Sequence, residues 1–494
     1  MYTFIISILL LVLGYVFYGY FVERTFGADP RRETPCYTKQ DGVDYIPMPT
    51  WKVYLIQFLN IAGTGPIFGA IQGILFGPAA YLWIVFGCIF GGAVHDYMSG
   101  MLSLRKDGAS LPELVHAELG RTAHIIILLF ALVLMILVGA VFVTTPATLL
   151  GTMTTSWGEW GTPLVWTCVI FAYYILATLL PIDKVIGRIY PLFGIALLIM
   201  AGGVLYGIFT QQGALPEITG AFANHHPNSA IPLFPALFIT IACGAISGFH
   251  ATQSPMMARC MKNERLGRPV FYGAMITEGL IALIWAAAAI KFADSLNVEG
   301  DTPYQRLLTA MTNPETGKMN PAIIVNQICN SWLGTVGAVL AVLGVVAAPI
   351  TSGDTALRSA RLITADFLHL PQGRIWQRLL LSAPLFALVF LLMFVNFDIL
   401  WRYFGWVNQS LSMITLWTIT VWLARQHKLY VITLLPAIVM TMVCITYICI
   451  APEGFQLPPL WGYVIGAVVT LTSIAVFVLT VVLKEKNKQT PQQP

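Results

Sequence analysis

Three carboxylates lie within otherwise apolar stretches of the sequence: Asp96, Glu278 and Asp354. Ionisable side chains are costly inside a membrane, where they usually face a protein interior or a water-filled path. A carboxylate in such a place can take up and release a proton, and hydroxyl oxygens such as those of Thr351 and Ser352 can bind sodium. We therefore predict that these five residues couple a proton or a sodium ion to the activity of the protein.

Each carboxylate also has a structural interpretation. It can cap a broken helix, or it can pair with an arginine near the membrane surface, such as Arg105 or, four residues beyond Asp354, Arg358. His95, which precedes Asp96, can be a buried hydrogen-bonding residue without a role in binding. The sequence leaves both interpretations open.

Two apolar stretches are interrupted by residues that do not continue a helix. One reads Asn60-Ile61-Ala62-Gly63-Thr64-Gly65-Pro66, and the other contains Gly244-Ala245-Ile246-Ser247-Gly248-Phe249-His250. Irregular backbone is tolerated in a membrane only against protein or a water-filled cavity. Amides at the start of a half-helix attract anions, and carbonyl groups freed by a break can hold cations. A proline kink or a close helix crossing is the alternative for either break alone.

The two breaks together predict a binding site for an anionic substrate. Lys and Arg are absent from the middle of every apolar stretch, so backbone amides or His250 would have to hold the negative charge. The predicted substrate-binding residues are those at and beside the two breaks: Asn60, Gly63, Thr64, Gly65, Ser247, Gly248 and His250.

The composition identifies a protein that crosses the membrane many times. Of its 494 residues, 57% are apolar and 10% are charged, whereas a soluble protein carries about 25% charged residues. A helix needs about 20 mostly apolar residues to cross a bilayer, and thirteen segments satisfy this requirement. They are Tyr2–Val22, Trp51–Phe76, Ala79–Leu104, Ala123–Val143, Pro163–Leu180, Gly187–Phe209, Ile231–Ser247, Val270–Ile290, Ile323–Ile350, Leu379–Phe394, Tyr403–Leu423, Tyr430–Ile450 and Trp461–Leu483.

The basic residues predict the orientation of these helices, because short cytoplasmic loops are rich in Lys and Arg. Loops after the odd-numbered helices, together with the C-terminal tail that contains Lys484–Lys488, hold most of the 27 basic residues. The basic residues in loops after the even-numbered helices are Lys291, Arg306, Lys318 and Arg402. We therefore predict that the N-terminus lies outside the cell and the C-terminus lies in the cytoplasm.

The breaks lie in the second and seventh predicted helices, five helices apart. Since five is odd, the second group of five lies upside down relative to the first, which predicts an inverted 5+5 repeat of the leucine-transporter type. The predicted parts are an N-terminal helix and loop at 1–50, a transport core at 51–423 with repeats at 51–210 and 231–423, and two C-terminal helices with a tail at 424–494. The external segment Phe292–Ala322 is expected to form short helices over the outer vestibule.

Several classes of function are excluded by the sequence. The net charge of +4 comes from basic residues spread over many loops, which argues against a nucleic-acid partner. Walker, HExxH and GxSxG motifs are absent, so neither enzyme activity nor a cofactor is predicted. The eight cysteines form no CxxC pair, so we predict neither a disulfide framework nor a metal site. Each loop is too short for a separate domain, so the protein acts within or across the bilayer.

The sequence resembles the carbon starvation protein A family, within the broad amino acid–polyamine–organocation superfamily. The resemblance covers roughly residues 1 to 425 and is most specific in the Gly-Ala-Ile-Ser-Gly-Phe-His run at 244–250. The matching stretches are Asn60–Pro66, Gly92–Asp96, Arg105–Leu111, Ala242–His250, Tyr272–Met275, Ser352–Arg361, Phe404–Gly405 and Asn408–Gln409.

The resemblance implies an uptake system of the bacterial inner membrane that is induced when carbon is scarce. Members of the family are described as peptide transporters, and close relatives as proton-coupled pyruvate transporters. It therefore implies import of a small carboxylate such as pyruvate, or of peptides, with protons favoured over sodium as the coupling ion. A membrane-embedded signalling or structural protein and a passive channel are the alternatives. A signalling role is disfavoured because only short loops and tails are available for a partner.

Overall fold

A computed structural model of the chain describes residues 1–179, 182–312, 314, 317, 319–395 and 397–489. The described residues form helices, and one isolated bridge joins Thr312 to Met319. The first eleven helices are α1 (Tyr2–Leu13), α2 (Gly19–Phe26), α3 (Pro35–Thr38), α4 (Thr50–Ile61), α5 (Ala70–Gly73), α6 (Ala79–Leu82), α7 (Ala93–Arg105), α8 (Leu111–Leu119), α9 (Arg121–Met153), α10 (Pro163–Leu179) and α11 (Ile182–Thr210). The remaining helices are α12 (Leu233–Thr240), α13 (Gly248–Ala258), α14 (Gly273–Phe292), α15 (Pro303–Met311), α16 (Ala322–Ala341), α17 (Ala347–Leu368), α18 (Ile375–Leu392), α19 (Phe397–Arg425), α20 (Val431–Ile450), α21 (Pro459–Phe477) and α22 (Leu483–Gln489). The predicted all-helical fold class is confirmed.

Nine helical stretches in the described part of the chain are long and apolar enough to cross a membrane. They are Tyr2–Phe26, Ala79–Arg105, Arg121–Gly151, Ser156–Ala177, Tyr190–Thr210, Glu264–Ser295, Ile375–Leu392, Val431–Ile450 and Pro459–Lys486. A tenth is bent, since α4 meets the half-helix Gly65–Phe76 at 53°. Three more predicted spans correspond to α12–α13, α16–α17 and α19, which are helical but richer in polar residues. The protein is therefore a multi-pass membrane protein, while the number thirteen stays a prediction.

Two predicted spans have other boundaries in the structure. The segment Ile231–Ser247 ends at a break, after which the helix resumes as α13. The segment Ile323–Ile350 is divided at Gly334, whose φ of 60° and ψ of −146° interrupt the helix, and α17 continues well beyond the predicted end. In both spans the predicted end lies where the apolar run stops and polar residues begin. The helical structure continues beyond that point because packing buries those polar residues. Residue 180, at the predicted end of the fifth span, lies outside the described residues.

The two broken helices lie in the interior of the helix bundle. α13 packs against α4, α7, α17 and α19, and α17 packs against α4, α9 and α10. Large side chains around them, including those of Trp285, Tyr190 and Phe58, are fully buried. The irregular backbone at each break is thus surrounded by protein, as its polar groups require inside a membrane.

The segment that we expect to cover the outer vestibule contains the short helix α15. Its N-terminus is closed by a capping box, in which the Thr302 hydroxyl accepts the Gln305 amide at 3.2 Å. The centroid of the Tyr304 ring lies 5.2 Å from that of the His225 ring, so α15 packs on the loop between α11 and α12. Residues 313, 315, 316 and 318 of this segment lie outside the described residues.

On the opposite face, the carboxylate of Glu264 ties three segments together. Arg105 donates two hydrogen bonds to it at 3.1 and 3.0 Å, and the backbone amide of Asp29 donates a third at 2.7 Å. The Arg105 guanidinium also stacks over the Phe26 ring, 4.1 Å from its centroid. These contacts hold the loop after α2 against the end of α7 and the segment before α14. They also pair Arg105 with Glu264 and not with Asp96 or Glu278.

Candidate functional site

The first break lies between α4 and the half-helix that begins at Gly65. Pro66 is the second residue of this half-helix, where its missing N–H leaves no hydrogen bond unmade. The Thr64 carbonyl accepts the Phe68 amide at 2.8 Å, which restarts the helical pattern. The side chains of Asn60 and Thr64 are fully buried, and neither has a hydrogen-bond partner in the described part of the chain. The first break therefore contains buried, neutral polar side chains whose hydrogen-bonding capacity is unused among the described residues.

The second break lies between α12 and α13. The Ala242 carbonyl accepts the Ile246 amide at 2.9 Å, which makes a turn before α13 begins. Asn408 of α19 then takes the place of the missing turn: its side-chain oxygen accepts the Phe249 amide at 2.7 Å and the Ser247 hydroxyl at 3.1 Å. A β-carbon at Gly248 would lie 2.4 Å from the Asn408 carbonyl oxygen, so only glycine fits this approach.

The structure brings the two breaks together. A β-carbon at Gly65 would lie 2.4 Å from the Cys243 Sγ, so the start of one half-helix touches the other break. Phe142 of α9 bridges them on a second side, because its ring fills the space beside Gly63 and lies 6.4 Å from the Phe249 ring. Residues from two distant parts of the sequence thus form one site.

The residues predicted for ion coupling divide into two groups, and one group lies on α17 beside the first break. The Ser352 hydroxyl donates to the Leu59 carbonyl at 3.0 Å, one of the carbonyls near the break. Thr351 donates within its own helix, to the Ala348 carbonyl at 2.8 Å. Asp354 is fully buried and accepts a hydrogen bond from the Tyr190 hydroxyl of α11.

The structural alternative for Asp354 was an ion pair with Arg358. Arg358 instead donates to the Ala177 carbonyl at 2.6 Å and approaches the Asp44 carboxylate at 4.0 Å. Tyr190 was not among the predicted site residues, and its hydroxyl donates a hydrogen bond to Asp354.

The other group, which we name the histidine–carboxylate cluster, consists of His95, Asp96, His250 and Glu278. The Asp96 carboxylate lies between the two imidazoles, 2.8 Å from the His95 Nδ1 and 2.8 Å from the His250 Nδ1. The His250 Nε2 faces the Glu278 carboxylate at 3.4 Å. All four side chains are fully buried. Both ring nitrogens of His250 thus face carboxylates. His95 also contacts Asp96, so it belongs to the cluster and is not an isolated buried residue.

Two neighbouring cavities lie between the site and the face predicted to be external. A cavity of about 480 Å³ opens on that face between α12, α19 and the loop that contains Pro452. It shares Thr240 and Gly405 with a cavity of about 10 Å³ that reaches Gly65 and Cys243. This smaller space holds about one water molecule, so the site is nearly closed in this conformation.

Two residues of the site were missed in the choice of candidates from the sequence. Asn408 and Cys243 both lie in stretches that resemble the family, and this was the signal available for them. Their roles were hidden because 165 positions separate them in the sequence, although the Asn408 amide nitrogen lies 3.8 Å from the Cys243 Sγ.

Sequence comparisons agree with the resemblance. The model of the carbon starvation protein CstA family matches residues 1–162 and 159–313. An uncharacterized membrane protein of Haemophilus influenzae is 48% identical over 59% of this chain and 91% of its own length. The peptide transporter CstA of Escherichia coli is 27% identical over 66% of this chain and 54% of its own length. The pyruvate/proton symporter BtsT of Escherichia coli is 28% identical over 65% and 53%, so the chain spans about half the length of these two relatives.

Solved structures of transporters share the fold. A manganese transporter of Eremococcus coleocola superposes with a TM-score of 0.55 and 14% identity, over 90% of this chain and 98% of that chain. A Na⁺-coupled sialic acid symporter superposes with a TM-score of 0.52 and 14% identity, over 95% and 97%. The leucine-transporter-type fold predicted from the breaks is therefore confirmed.

Proposed function

Because the chain belongs to the carbon starvation protein CstA family, we propose that this membrane transporter imports small carboxylates, pyruvate or peptides, together with protons. The names of its relatives, a peptide transporter and a pyruvate/proton symporter, support this substrate class and this coupling. We place the protein in the bacterial inner membrane with its N-terminus outside, and we propose uptake as its role when carbon is scarce. The transport core comprises residues 51–423. An N-terminal helix and loop precede it, and two C-terminal helices with a tail follow it.

The observation that carries this proposal is the pair of unsatisfied polar side chains at the first break. Asn60 and Thr64 are fully buried, and their polar atoms lack hydrogen-bond partners among the described residues, which is costly inside a protein. The Asn60 amide nitrogen, the Thr64 hydroxyl and the Gly65 backbone amide are donors. Pro66 has no N–H, and the Ile67 and Phe68 amides already donate to the Thr64 carbonyl. A substrate carboxylate accepts from such donors and is favoured by the helix N-terminus.

The other predicted substrate residues complete this site. Gly65 lets the second break approach, Gly63 leaves room for the Phe142 ring, and Ser247 and Gly248 begin the half-helix α13 on the far side. His250 is a weaker candidate for the substrate, because both of its ring nitrogens face carboxylates.

For coupling we assign Asp354 as the proton carrier. Its carboxylate lies on α17, the helix whose Ser352 bonds to the first break, and its partner Tyr190 belongs to the other repeat. Protonation would remove the charge of Asp354 and weaken this bond between the repeats. Thr351 and Ser352 supply the oxygens for sodium in the alternative. Asp96 and Glu278 belong to the histidine–carboxylate cluster.

The test is transport by the purified protein in liposomes, with pyruvate, other short carboxylates and dipeptides as substrates. With an acidic exterior, the wild type should accumulate at least one of them above its external concentration. Equilibration without accumulation would identify a passive channel, and the absence of flux for every substrate would favour a signalling or structural role.

Two variants test the assignment of Asp354. Asp354→Asn should still exchange labelled for unlabelled substrate, because binding is intact, but it should lose accumulation and the dependence of uptake on external pH. Asp366→Asn, a control on the same helix near its end, should behave like the wild type. If Asp354→Asn keeps an unchanged pH profile, the carrier lies elsewhere. A requirement for sodium in the wild type would instead support the Thr351–Ser352 site.

A further inference from the structure

Three donor atoms from different parts of the chain converge beside the second break. The Cys243 Sγ, a His250 ring nitrogen and a Glu278 carboxylate oxygen lie within 4.8 Å of one another, and all three residues are buried. We propose that these residues bind a divalent transition-metal ion of the zinc type. The absence of a CxxC pair predicts no metal site in the sequence. The CxxC rule concerns ligands that are neighbours in the sequence, so it does not apply to ligands from separate helices.

The donor set and its spacing suit zinc. Thiolate, imidazole and carboxylate are the three ligand types that Zn²⁺ uses in proteins, and three protein ligands leave a fourth position open. Bond lengths of about 2.0–2.3 Å in a tetrahedral site place ligand atoms roughly 3.3–3.7 Å apart. The His250 Nε2 and the Glu278 Oε2 are already 3.4 Å apart. The Cys243 Sγ lies within 4.8 Å of the other two ligand atoms, and a movement of its side chain toward them completes the set.

The residues around the ligands orient them. Asp96 lies 2.8 Å from the His250 Nδ1, and because an ionised carboxylate only accepts hydrogen bonds, the hydrogen lies on Nδ1. The lone pair of Nε2 then points to Glu278. A carboxylate behind a ligating histidine is the usual outer partner in zinc sites. On the sulfur side, the Asn408 amide donates toward the Cys243 Sγ at 3.8 Å.

The same arrangement leaves two acceptors facing each other without a cation. Among the described residues, the His250 Nε2 and both oxygens of Glu278 have no hydrogen-bond partner, although they are completely buried. The basic side chains that the described residues place beside Asp96 and Glu278 are histidines and not Lys or Arg, so with neutral imidazoles the two carboxylates have no cationic partner. A buried negative charge requires a positive partner. A Zn²⁺ ion with one thiolate and one carboxylate ligand would make the inner set neutral.

Such an ion would act on the broken helix. Cys243 lies within the break, His250 follows it in α13, and Glu278 belongs to α14, so a single metal would tie the break and the half-helix after it to a neighbouring helix. We therefore expect bound metal to stabilise the closed conformation and to slow transport. The inference does not depend on the identity of the substrate, because metal binding is measured without transport.

The experiment measures metal bound to the intact protein. Chelator-treated protein in detergent is incubated with Zn²⁺ or Co²⁺ and desalted, and the metal is quantified by mass spectrometry. The wild type should retain about one ion per chain, with a Co²⁺ absorption spectrum of a tetrahedral site that includes sulfur. Cys243→Ser and Glu278→Gln should each lose this ion, and Asp96→Asn should lower the affinity about 10- to 100-fold.

The control is Cys444→Ser, which removes a buried cysteine of α20 that lies outside the site and should bind like the wild type. If the variants unfold, X-ray absorption of the Zn²⁺-loaded wild type provides an independent result: one sulfur ligand with nitrogen and oxygen ligands supports the proposal. Failure of the wild type to retain metal, retention unaffected by Cys243→Ser and Glu278→Gln in folded protein, or a site without sulfur would overturn it.

Discussion

The two breaks have a similar backbone and very different surroundings. At the first break, the nearby groups are the neutral side chains of Asn60 and Thr64 and the hydroxyl of Ser352. At the second break, the neighbours are two imidazoles, two carboxylates and a thiol, all buried. A broken helix provides free backbone groups in both places, so the difference shows that the packed neighbours decide which polar side chains surround each break.

The neighbours differ because different side chains of the surrounding helices face each break. At the first break, α17 contributes the Ser352 hydroxyl, whereas at the second break α7 and α14 contribute Asp96 and Glu278. The inverted repeat relates the backbones of the two breaks and places no constraint on the side chains around them. We therefore expect changes at the first break to alter substrate binding and coupling, and changes at the second break to alter helix positioning and metal binding.

The largest effect is expected where the two breaks touch. Gly65→Ala places a β-carbon 2.4 Å from the Cβ and Sγ of Cys243, and overpacking of this kind costs roughly 1–3 kcal/mol. Uptake should fall at least about tenfold, because the half-helix must shift away from the site. Gly202→Ala is the control, since a β-carbon there meets nothing within 4 Å. Equal uptake and melting temperature in both variants would show that the breaks do not touch.

A smaller effect is expected at the cap of the second break. Asn408→Ala removes the acceptor of the Phe249 amide and the Ser247 hydroxyl, and a buried group without its partner costs roughly 1–3 kcal/mol. Ser247→Ala alone should cost less, and in the double variant the two losses should not add. Additive losses in melting experiments would mean that the two side chains act independently.

The next effect concerns the first break. Ser352→Ala removes the hydrogen bond to the Leu59 carbonyl, worth about 1 kcal/mol, and should raise the concentration of coupling cation that gives half-maximal uptake. Ser359→Ala is a matched control on α17, because that hydroxyl donates at 3.2 Å to the Thr252 carbonyl of α13, away from the first break. A shift of equal size in both variants would contradict a special role for Ser352.

The smallest effect lies outside the membrane, far from both breaks. Hydrogen bonds from the N-terminal amine and then from Thr3 lower the pKa of Glu217 to about 2, below the ordinary value of about 4.3. Because the folded-state pKa is lowered, this carboxylate stabilises the protein above about pH 5, and the contribution is lost as the pH falls toward 2. Glu217→Gln should lower the melting temperature slightly at pH 7 and converge with the wild type in acid.

Transport by this variant should keep the wild-type pH profile, since Glu217 contacts neither break. Glu299→Gln, another change in an external loop, controls for the loss of one surface charge. A changed pH profile of uptake in Glu217→Gln would show that surface groups, and not those at the breaks, set the pH dependence.

The sequence by itself determined the membrane class, most of the helices and the position of both breaks. These features depend on local properties: about 20 consecutive apolar residues make a span, and glycines, with or without a proline, weaken the helix within such a run. Local properties did not predict the full extent of α13 and α17, because neighbouring helices bury the polar faces of these two helices. No window of sequence reveals which helix will cover a polar face.

The tertiary structure alone decided which functional residues meet. Leu59 and Ser352 are 293 positions apart, and Asp96 and His250 are 154 apart, yet each pair is in hydrogen-bond contact. Asp354 accepts a hydrogen bond from Tyr190, which lies far from it in the sequence. The Cys243 Sγ lies close to the carboxylate of Glu278, which belongs to another helix. The physical reason is that side chains buried in a membrane protein must find polar partners, and the packing of the helices determines which partners are within reach.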